Sequence, residues 1–327
     1  MSFEKLLPLI NKTGSNLSPK AFQERINIVF HDHEASHYDK LHNDMKMSLQ
    51  EQMDLLVNDL ISSNIVILNN LKLLDVGAGT GLSTQILLNS KIGSNIDEVT
   101  LLDTSSKMLK YAEEKANRWN KKFKIINADI NILNEKFDII LICSVLHHIP
   151  DLSTFLKKVD KLLNSGGILI HLQDPNGDSL FDEKYLSNVL EYNNRIKLNS
   201  KKITIKKMIP KKWKSIINRV IGRKSYIDLV NDQLIKENII KNRMSADEIW
   251  SVTDIHVESK FNFENTGISF KFLELQLVNY KLINQRSYGF FGPLKNELIL
   301  EYKIKEDEFM KKNSLFGRNI SCIWVKY

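Results

Sequence analysis

The sequence predicts an α/β protein with a parallel central sheet, and three observations support this class. Between residues 71 and 174, short apolar runs alternate with amphipathic segments of helical period. These runs are apolar enough to require burial on both faces of a sheet. A glycine-rich turn joins the first run to the segment that follows it. Strands that alternate with helices in this way run parallel, because the crossover helices cover both faces of the sheet.

Residues 1–70 are predicted to form an N-terminal helical cap. No proline occurs from Phe22 to Ile67, and apolar residues recur there at helical intervals. The periodic residues are Met45, Leu49, Met53, Leu56 and Leu60.

Residues 71–175 form the predicted α/β core. Its strands are expected at residues 71–76, 98–103, 123–128, 137–145 and 166–173, with helices at 82–88, 107–119 and 152–163. A turn sequence, Asp174 to Gly177, then breaks the pattern. Residues 176–266 are therefore predicted to be a helical insertion near the substrate region. Residues 267–327 are predicted to complete the sheet, with strands at 280–291 and 319–327 and a helix around 297–312.

Composition excludes several classes of protein. The chain has 327 residues, of which 43% are hydrophobic and 26% charged, with 13 Gly and 6 Pro. These values exclude collagen-like and wholly disordered chains. We find no apolar run long enough to span a membrane and no secretory signal pattern, so a cytoplasmic protein is expected. Cys143 and Cys322 lie in apolar runs and are expected to be buried thiols.

The positive charge is concentrated in one segment. The net charge is +7, but Arg195 to Lys224 contains twelve Lys or Arg and no acidic residue, which leaves −5 on the rest of the chain. The residues from Trp213 to Val220 also have the period of an amphipathic helix. Such a segment favours an anionic partner, either a membrane surface, an acidic carrier protein, a phosphorylated substrate or RNA. A solvated lid without a partner is the alternative.

The most informative motif is the glycine-rich string after the first strand. It contains Asp75, Gly77, Gly79 and Gly81, and it opens the first core helix. Glycines there allow a tight turn and a close approach of ligand to backbone. A dinucleotide fingerprint would need glycine at position 82, which is Leu82. A nicotinamide oxidoreductase is therefore disfavoured, and no phosphate-loop Lys-Ser/Thr pair follows.

This string resembles motif I of the class I S-adenosylmethionine-dependent methyltransferases. Further motifs follow in the family's order: Leu101 to Leu109, Asn127 to Ile130, and Phe137 to Pro150. An N-terminal element that includes Tyr38 also resembles the family's pattern. The resemblance implies a Rossmann-like seven-stranded methyltransferase sheet and S-adenosylmethionine as cofactor. Ligands of such folds bind at the carboxyl ends of the strands.

The resemblance also implies the cofactor-binding residues. Asp103 would hold the ribose hydroxyls, Met108 would border the adenine, Asp129 would accept from the adenine amino group, and Tyr38 would cover the cofactor. The expected set is Tyr38, Asp75, Gly77, Ala78, Gly79, Gly81, Asp103, Thr104, Met108, Asp129, Ile130, Cys143 and Ser144.

Methyl transfer from a sulfonium needs a nucleophile in line with the C–S bond, and a base only if the acceptor must lose a proton. The candidate bases are His147 and His148, Asp174 after strand five, and the pair Asp254 and His256, which would share one face if residues 252–257 are extended. No metal is predicted, because the spacing of the histidines at 31, 33 and 37 matches no standard zinc motif and no second group of ligands stands out.

The acceptor is expected to be a small molecule or natural product. The string after strand four reads Cys143 to His148 and lacks the Pro-Pro-aromatic motif of nucleic-acid amino methyltransferases, and Cys143 does not follow a proline. Methylation of RNA or of a membrane-associated lipid or quinone, and a non-catalytic S-adenosylmethionine-binding protein, are the alternatives. An aromatic lining for the acceptor is expected from Tyr185, Tyr192, Trp213, Tyr226, Trp250 and Phe290.

Overall fold

A computed structural model describes residues 3–36, 38, 43–199, 225–257 and 267–327. The strands are β1 (Leu71–Val76), β2 (Ile96–Asp103), β3 (Lys122–Asn127), β4 (Phe137–Cys143), β5 (Leu163–Pro175), β6 (Tyr280–Tyr288) and β7 (Asn319–Lys326). The helices of the N-terminal half are α1 (Leu7–Thr13), α2 (Pro19–Glu34), α3 (Asn43–Ser62), α4 (Leu82–Leu88), α5 (Ser106–Ala116) and α6 (Leu152–Leu162). They are followed by α7 (Glu183–Asn199), α8 (Tyr226–Lys236), α9 (Ala246–Thr253), α10 (Phe270–Gln276) and α11 (Leu300–Lys311).

The strands form one seven-stranded sheet in the order β3-β2-β1-β4-β5-β7-β6. The first five strands are parallel to their neighbours, and β7 is antiparallel to both β5 and β6. The predicted Rossmann-like sheet, including its completion by the last two strands, is therefore confirmed. The strand order reverses between β1 and β4, and ligands bind at this switch point in such sheets.

Both faces of the sheet are buried. Leu73 of β1 belongs to a hydrophobic cluster that contains residues of α3, α4 and α5. Its neighbour Leu74 belongs to a second cluster, which contains residues of α6 and α10. Alternate residues of one strand thus serve opposite layers, which is why the strand sequence is almost continuously apolar.

A third hydrophobic cluster joins α1 and α2 to α8 and α9 from the insertion. Phe22 and Ile26 of α2 pack there with Leu234 of α8 and Val252 of α9. The two helical segments are distant in sequence but share one core. By contrast, α3 buries its apolar side in the layer that covers the sheet.

Several predicted boundaries need correction. The helix expected at 107–119 ends at Ala116, and the helix expected from 297 begins at Leu300. Residues 252–257 are not an extended segment, because α9 continues to Thr253. The helix is stabilised at its start by a capping box in which Ser245 and Glu248 exchange hydrogen bonds.

The basic segment lies largely outside the described residues, which omit 200–224. The amphipathic helix expected there is therefore not part of the structural description. Within the described residues, no helix combines the length and apolar character that a membrane crossing requires. Cys143 and Cys322 are free thiols, the first half-buried and the second buried.

Candidate active site

The glycine-rich loop after β1 makes a sharp turn and is hydrogen-bonded to the neighbouring strand β2. The φ angles are +68° at Gly77 and +53° at Gly79, in the left-handed region that favours glycine. The N–H of Gly77 donates to the carbonyl of Leu102 in β2 at 2.8 Å. A Cβ on Gly77 would lie 2.4 Å from Cγ2 of Val145, whereas a Cβ on Gly79 would meet no described atom within 4 Å. Gly77 therefore permits close packing, and Gly79 borders open space.

Asp75, near the end of β1, connects this strand to the start of α4 by hydrogen bonds. Its Oδ2 accepts hydrogen bonds from the hydroxyls of Ser83 at 2.8 Å and Thr84 at 2.5 Å, both in α4. Burial raises its pKa to about 7, although the two hydroxyl bonds oppose this effect. Its Oδ1 is buried without a hydrogen-bond partner among the described residues. A carboxylate in this position fixes the start of α4 relative to β1.

Asp103 holds the opposite side of the loop. Its Oδ2 accepts from the N–H of Gly79 at 2.8 Å, and its Oδ1 accepts from the N–H of Ser105 at 2.7 Å. Burial raises the pKa of Asp103, and the two backbone donors and nearby His31 oppose the rise. Each carboxylate oxygen can accept a second hydrogen bond, so Asp103 can still bind two neighbouring hydroxyls of a ligand.

A cavity of about 650 Å³ opens at the carboxyl ends of β1 to β4. Its size falls in the range of roughly 300–1,000 Å³ typical of small-molecule sites. Most of the predicted residues line it: Tyr38, Gly77, Gly79, Asp103, Thr104, Met108, Asp129, Ile130, Cys143, Ser144 and His148. Residues from four separate strand ends therefore meet at one cavity.

Five predicted residues do not line the cavity: Asp75, Ala78, Gly81, Asp174 and His256. Ala78 is buried and its N–H donates to the carbonyl of Leu102 at 3.0 Å. Gly81 packs against Ala112 and Trp119, which lie within 3.4 Å of where its Cβ would be. These positions shape the loop and the start of α4, while Asp75 has the supporting role described above.

Asp174 and His256, which were expected as candidate bases, do not line the cavity. Asp174 is fully buried, and its Oδ1 accepts from the backbone N–H of His147 at 3.1 Å and lies 2.7 Å from Nδ1 of the same residue. Nε2 of buried His256 lies 2.9 Å from the carbonyl of Ile149. The two side chains hold the turn after β4 in place.

Sequence reasoning missed one wall of the cavity, which α2 supplies. Lys20, Gln23, Glu24, Asn27, Ile28 and His31 line it. Gln23 Nε2 donates to the carbonyl of His148 at 3.1 Å, which ties α2 to the turn after β4. A signal for this wall is present in the chain, because polar residues at 20, 24, 27 and 31 form one stripe of helical period.

The pKa values of two histidines at the cavity, His31 and His148, shift in opposite directions. Burial lowers the pKa of His148 well below its usual 6.5, and neighbouring His147 and His31 lower it further. Burial also acts to lower the pKa of His31, but a hydrogen bond to Glu34 and nearby acidic groups outweigh it, so the pKa of His31 is raised. The two rings meet edge to face, with centroids 5.2 Å apart.

The described residues of the predicted aromatic lining do not line this cavity. Tyr192 and Phe290 belong to a separate hydrophobic cluster with Tyr302. Tyr226 packs against Phe30, and neither Tyr185 nor Trp250 lines the cavity. Trp213 lies outside the described residues. Aromatic residue type alone does not distinguish core positions from cavity walls.

Comparison with known proteins identifies the α/β core. Residues 74–169, from β1 to β5, match a family model described as a methyltransferase domain. This match covers the part of the chain whose motifs resemble class I methyltransferases, and it shows a methyltransferase domain there.

Among curated relatives, the ubiquinone biosynthesis O-methyltransferase of Pelagibacter ubique is 30% identical over 132 residues, covering 39% of this chain and 53% of that protein. The hybrid PKS-NRPS synthetase iliA of Neonectria sp. is 35% identical over 108 residues, covering 31% of this chain and 3% of the synthetase. A solved S-adenosylmethionine-dependent methyltransferase of Clostridium acetobutylicum is 14% identical, covers 89% of this chain and 98% of its own, and has a TM-score of 0.45. The chain thus spans from a small fraction to about half of the lengths of these curated relatives.

The cavity fits the cofactor that class I methyltransferases use, S-adenosylmethionine. The Asp103 carboxylate can accept two ribose hydroxyls while it keeps its backbone donors. Gly79 leaves space where a side chain would otherwise stand. Met108 and Ile130 provide apolar surface, and Asp129 an acceptor, at the ends of neighbouring strands.

Proposed function

We propose that this protein transfers a methyl group from S-adenosylmethionine to a small-molecule acceptor by direct displacement. The observation that carries the proposal is the meeting of the Gly77–Gly79 loop, Asp103 and Asp129 at one cavity of suitable size. The N–H of Gly79, a backbone donor that could otherwise bind a phosphate oxygen, donates to Asp103. A carboxylate there favours hydroxyl groups over an anionic pyrophosphate.

The proposed cofactor pose follows from the residue types. Asp103 binds the ribose hydroxyls, and the adenine lies between Met108 and Ile130 with its amino group toward Asp129. The methionine portion lies beside Cys143 and Ser144 at the end of β4, where Ser144 has a φ of +60°. The N–H of Ser144 donates to the carbonyl of Leu172 at 2.9 Å, which fixes this bend in the chain.

The methyl group then faces the side of the cavity bounded by the turn after β4 and by α2. His148 is the predicted catalytic residue that lines this side, and we propose that it contacts the acceptor. Holding the acceptor in line with the C–S bond can supply much of the acceleration, up to roughly 7–11 kcal/mol in well-oriented systems. The protein's main contribution is therefore orientation.

A small acceptor suits the enclosure of this side. Helix α2 lies over the strand ends, its other face packs on α8 and α9, and Gln23 is bonded to the turn after β4. The relatives named above point in the same direction, because their names refer to ubiquinone biosynthesis and to a PKS-NRPS synthetase. A role in small-molecule biosynthesis is thus part of the proposal.

Calorimetric titration tests the cofactor assignment. We expect saturable binding of S-adenosylmethionine and S-adenosylhomocysteine, and no binding of NADH. A protein that ignores both adenosyl ligands at millimolar concentration would refute the proposal. Transfer of radiolabelled methyl to a panel of phenols, carboxylic acids and amines then separates an enzyme from a non-catalytic binding protein.

A further inference from the structure

Three metal-ligating side chains meet beside the cavity. His147 and His148 lie in the turn after β4, and Asp254 follows the last residue of α9. One nitrogen or oxygen from each lies within 4.8 Å of the others, and they form the one such group found among the described residues. All three are shielded from solvent, with side-chain exposures of 11%, 13% and 30%. The sequence separates the histidines from Asp254 by more than a hundred residues, so this group was not predicted.

The proton on His147 has a defined place. Its Nδ1 lies 2.7 Å from the Asp174 carboxylate, which also accepts the backbone N–H of the same histidine. A carboxylate oxygen only accepts, so Nδ1 carries a proton, and in the neutral imidazole Nε2 then presents a lone pair. A buried carboxylate that orients a histidine in this way is the usual outer-shell partner of a metal-bound imidazole.

Nε2 of His147 faces the carboxylate of Asp254. It lies 3.9 Å from Oδ1 of Asp254, which is too long for a hydrogen bond. Nδ1 of His148 lies 3.3 Å from the same oxygen. Two ligands at metal distances of about 2.0–2.1 Å and tetrahedral to trigonal angles lie roughly 3.3–3.6 Å apart. The two separations from Oδ1 lie on either side of this value, and all three ligand atoms lie within 4.8 Å of one another, so the side chains would move closer together around a bound cation.

The carbonyl of Thr253 completes the arrangement. It lies 2.8 Å from Nδ1 of His148 and accepts a hydrogen bond from this nitrogen when Nδ1 carries the ring proton. An ion bound at Nδ1 would require the other tautomer of His148, in which the ring proton lies on Nε2 and Nδ1 presents its lone pair. The carbonyl oxygen, next to Asp254 in the chain, would then be a neighbouring oxygen donor.

We propose that His147 Nε2, His148 Nδ1 and the Asp254 carboxylate bind one divalent transition-metal ion. Two imidazoles and one carboxylate suit zinc, cobalt, nickel or iron better than magnesium or calcium, which prefer oxygen ligands. Three side-chain ligands leave coordination positions open. Because His148 also lines the cavity, an acceptor with a metal-binding oxygen is favoured, and this consequence alone rests on the proposed methyl transfer.

The test uses the full chain, freed of metal by a chelator and titrated with Co²⁺, Zn²⁺ and Mg²⁺. We expect one Co²⁺ or Zn²⁺ per chain by elemental analysis, an intense visible Co²⁺ spectrum typical of low coordination number, and no saturable binding of Mg²⁺. Asp254→Asn and His148→Asn should weaken binding by more than the roughly 10–100-fold expected for the outer-shell change Asp174→Asn. His33→Asn, which changes a histidine of α2 outside this group, is the matched control.

Circular dichroism and thermal denaturation show whether each variant is folded, and the Co²⁺ spectrum of the unaltered chain gives evidence that needs no variant. Absence of saturable Co²⁺ and Zn²⁺ binding by the folded protein would overturn the metal site, as would unchanged affinity in Asp254→Asn. A protein that binds S-adenosylmethionine but no metal refutes the metal site alone. One that binds Co²⁺ but no adenosyl ligand refutes the proposed function alone.

Discussion

Replacement of Asp103 by Asn tests the cofactor pose most directly. Hydrogen bonds to a charged group contribute about 1.5–3 kcal/mol each, and Asp103 is positioned to accept two from a ribose. Asn keeps one neutral acceptor, so we expect a loss of about 2–4 kcal/mol, which is roughly a 30- to 1,000-fold rise in the Kd for S-adenosylhomocysteine. Calorimetric titration at fixed pH and salt measures this change.

The same substitution also affects the unliganded loop. Both carboxylate oxygens accept backbone N–H groups, from Gly79 and Ser105, and the amide NH₂ of Asn cannot accept. One backbone donor then loses its partner, which costs about 1–3 kcal/mol of folding free energy. Chemical denaturation of Asp103→Asn should therefore show a measurable loss of stability.

A 2′-deoxy analogue of S-adenosylhomocysteine separates lost ribose contacts from loop damage. The unaltered protein should bind the analogue more weakly than the parent ligand, whereas Asp103→Asn should discriminate much less between them. Asp97→Asn, at the exposed opposite end of β2, is the matched control and should bind both like the unaltered protein. Equal discrimination by Asp103→Asn and the unaltered chain would refute the assigned role of Asp103.

Three further substitutions address the loop and the buried carboxyls. Gly79→Ala and Gly166→Ala both place a Cβ at positive φ in open space, so each should cost about 1–2 kcal/mol of stability. Only Gly79→Ala should weaken the binding of S-adenosylhomocysteine. Equal affinities of the two variants for this ligand would contradict the placement of Gly79 at the cofactor. The folded-state pKa of Asp75 is about 7, above its usual 3.8, so its contribution to the free energy of unfolding is full below pH 3.8 and is lost as pH rises to 7. Asp75→Asn should remove up to about 3 kcal/mol of the fall in unfolding free energy between pH 5 and 8. Urea denaturation that gives the same pH dependence of this free energy for both proteins would refute the assignment. Burial likewise raises the pKa of Glu306 to about 7, and its two carboxyl oxygens accept the backbone N–H groups of Gly289 and Phe290. Glu306→Gln should therefore destabilise the protein by about 1–3 kcal/mol at pH 5 and by clearly less at pH 8. A stability difference that does not change with pH would exclude ionisation of this group.

Much of the cavity lining at the strand ends could be predicted because its signals are local. The turn at Gly77, the carboxylate at Asp103 and the apolar Met108 each follow a strand by a fixed number of residues. Parallel strands bring their carboxyl ends to one edge, so local motifs translate into a common site. The errors arose where a motif residue turned inward, as at Asp75, whose partners Ser83 and Thr84 become visible only when α4 is in place.

The acceptor side could not be predicted to the same extent. Gln23 and His31 reach the cavity because α2 packs on α8 and α9, a contact between segments about two hundred residues apart. Asp254 reaches the histidines by the same packing, and the extended segment expected at 252–257 would have placed it differently. No short-range pattern connects these residues.

The amino-acid sequence by itself determined the order of strands and helices, the conformation of the glycine loop and the carboxylates at the strand ends. These features depend on backbone sterics and on side-chain periodicity, which act over a few neighbouring residues. Only the tertiary structure decided which polar groups face the cavity and which are buried beneath it, and it alone brought Asp254 to His147 and His148. Such proximity results from the packing of apolar helix faces, which is non-directional and leaves no local record in the chain.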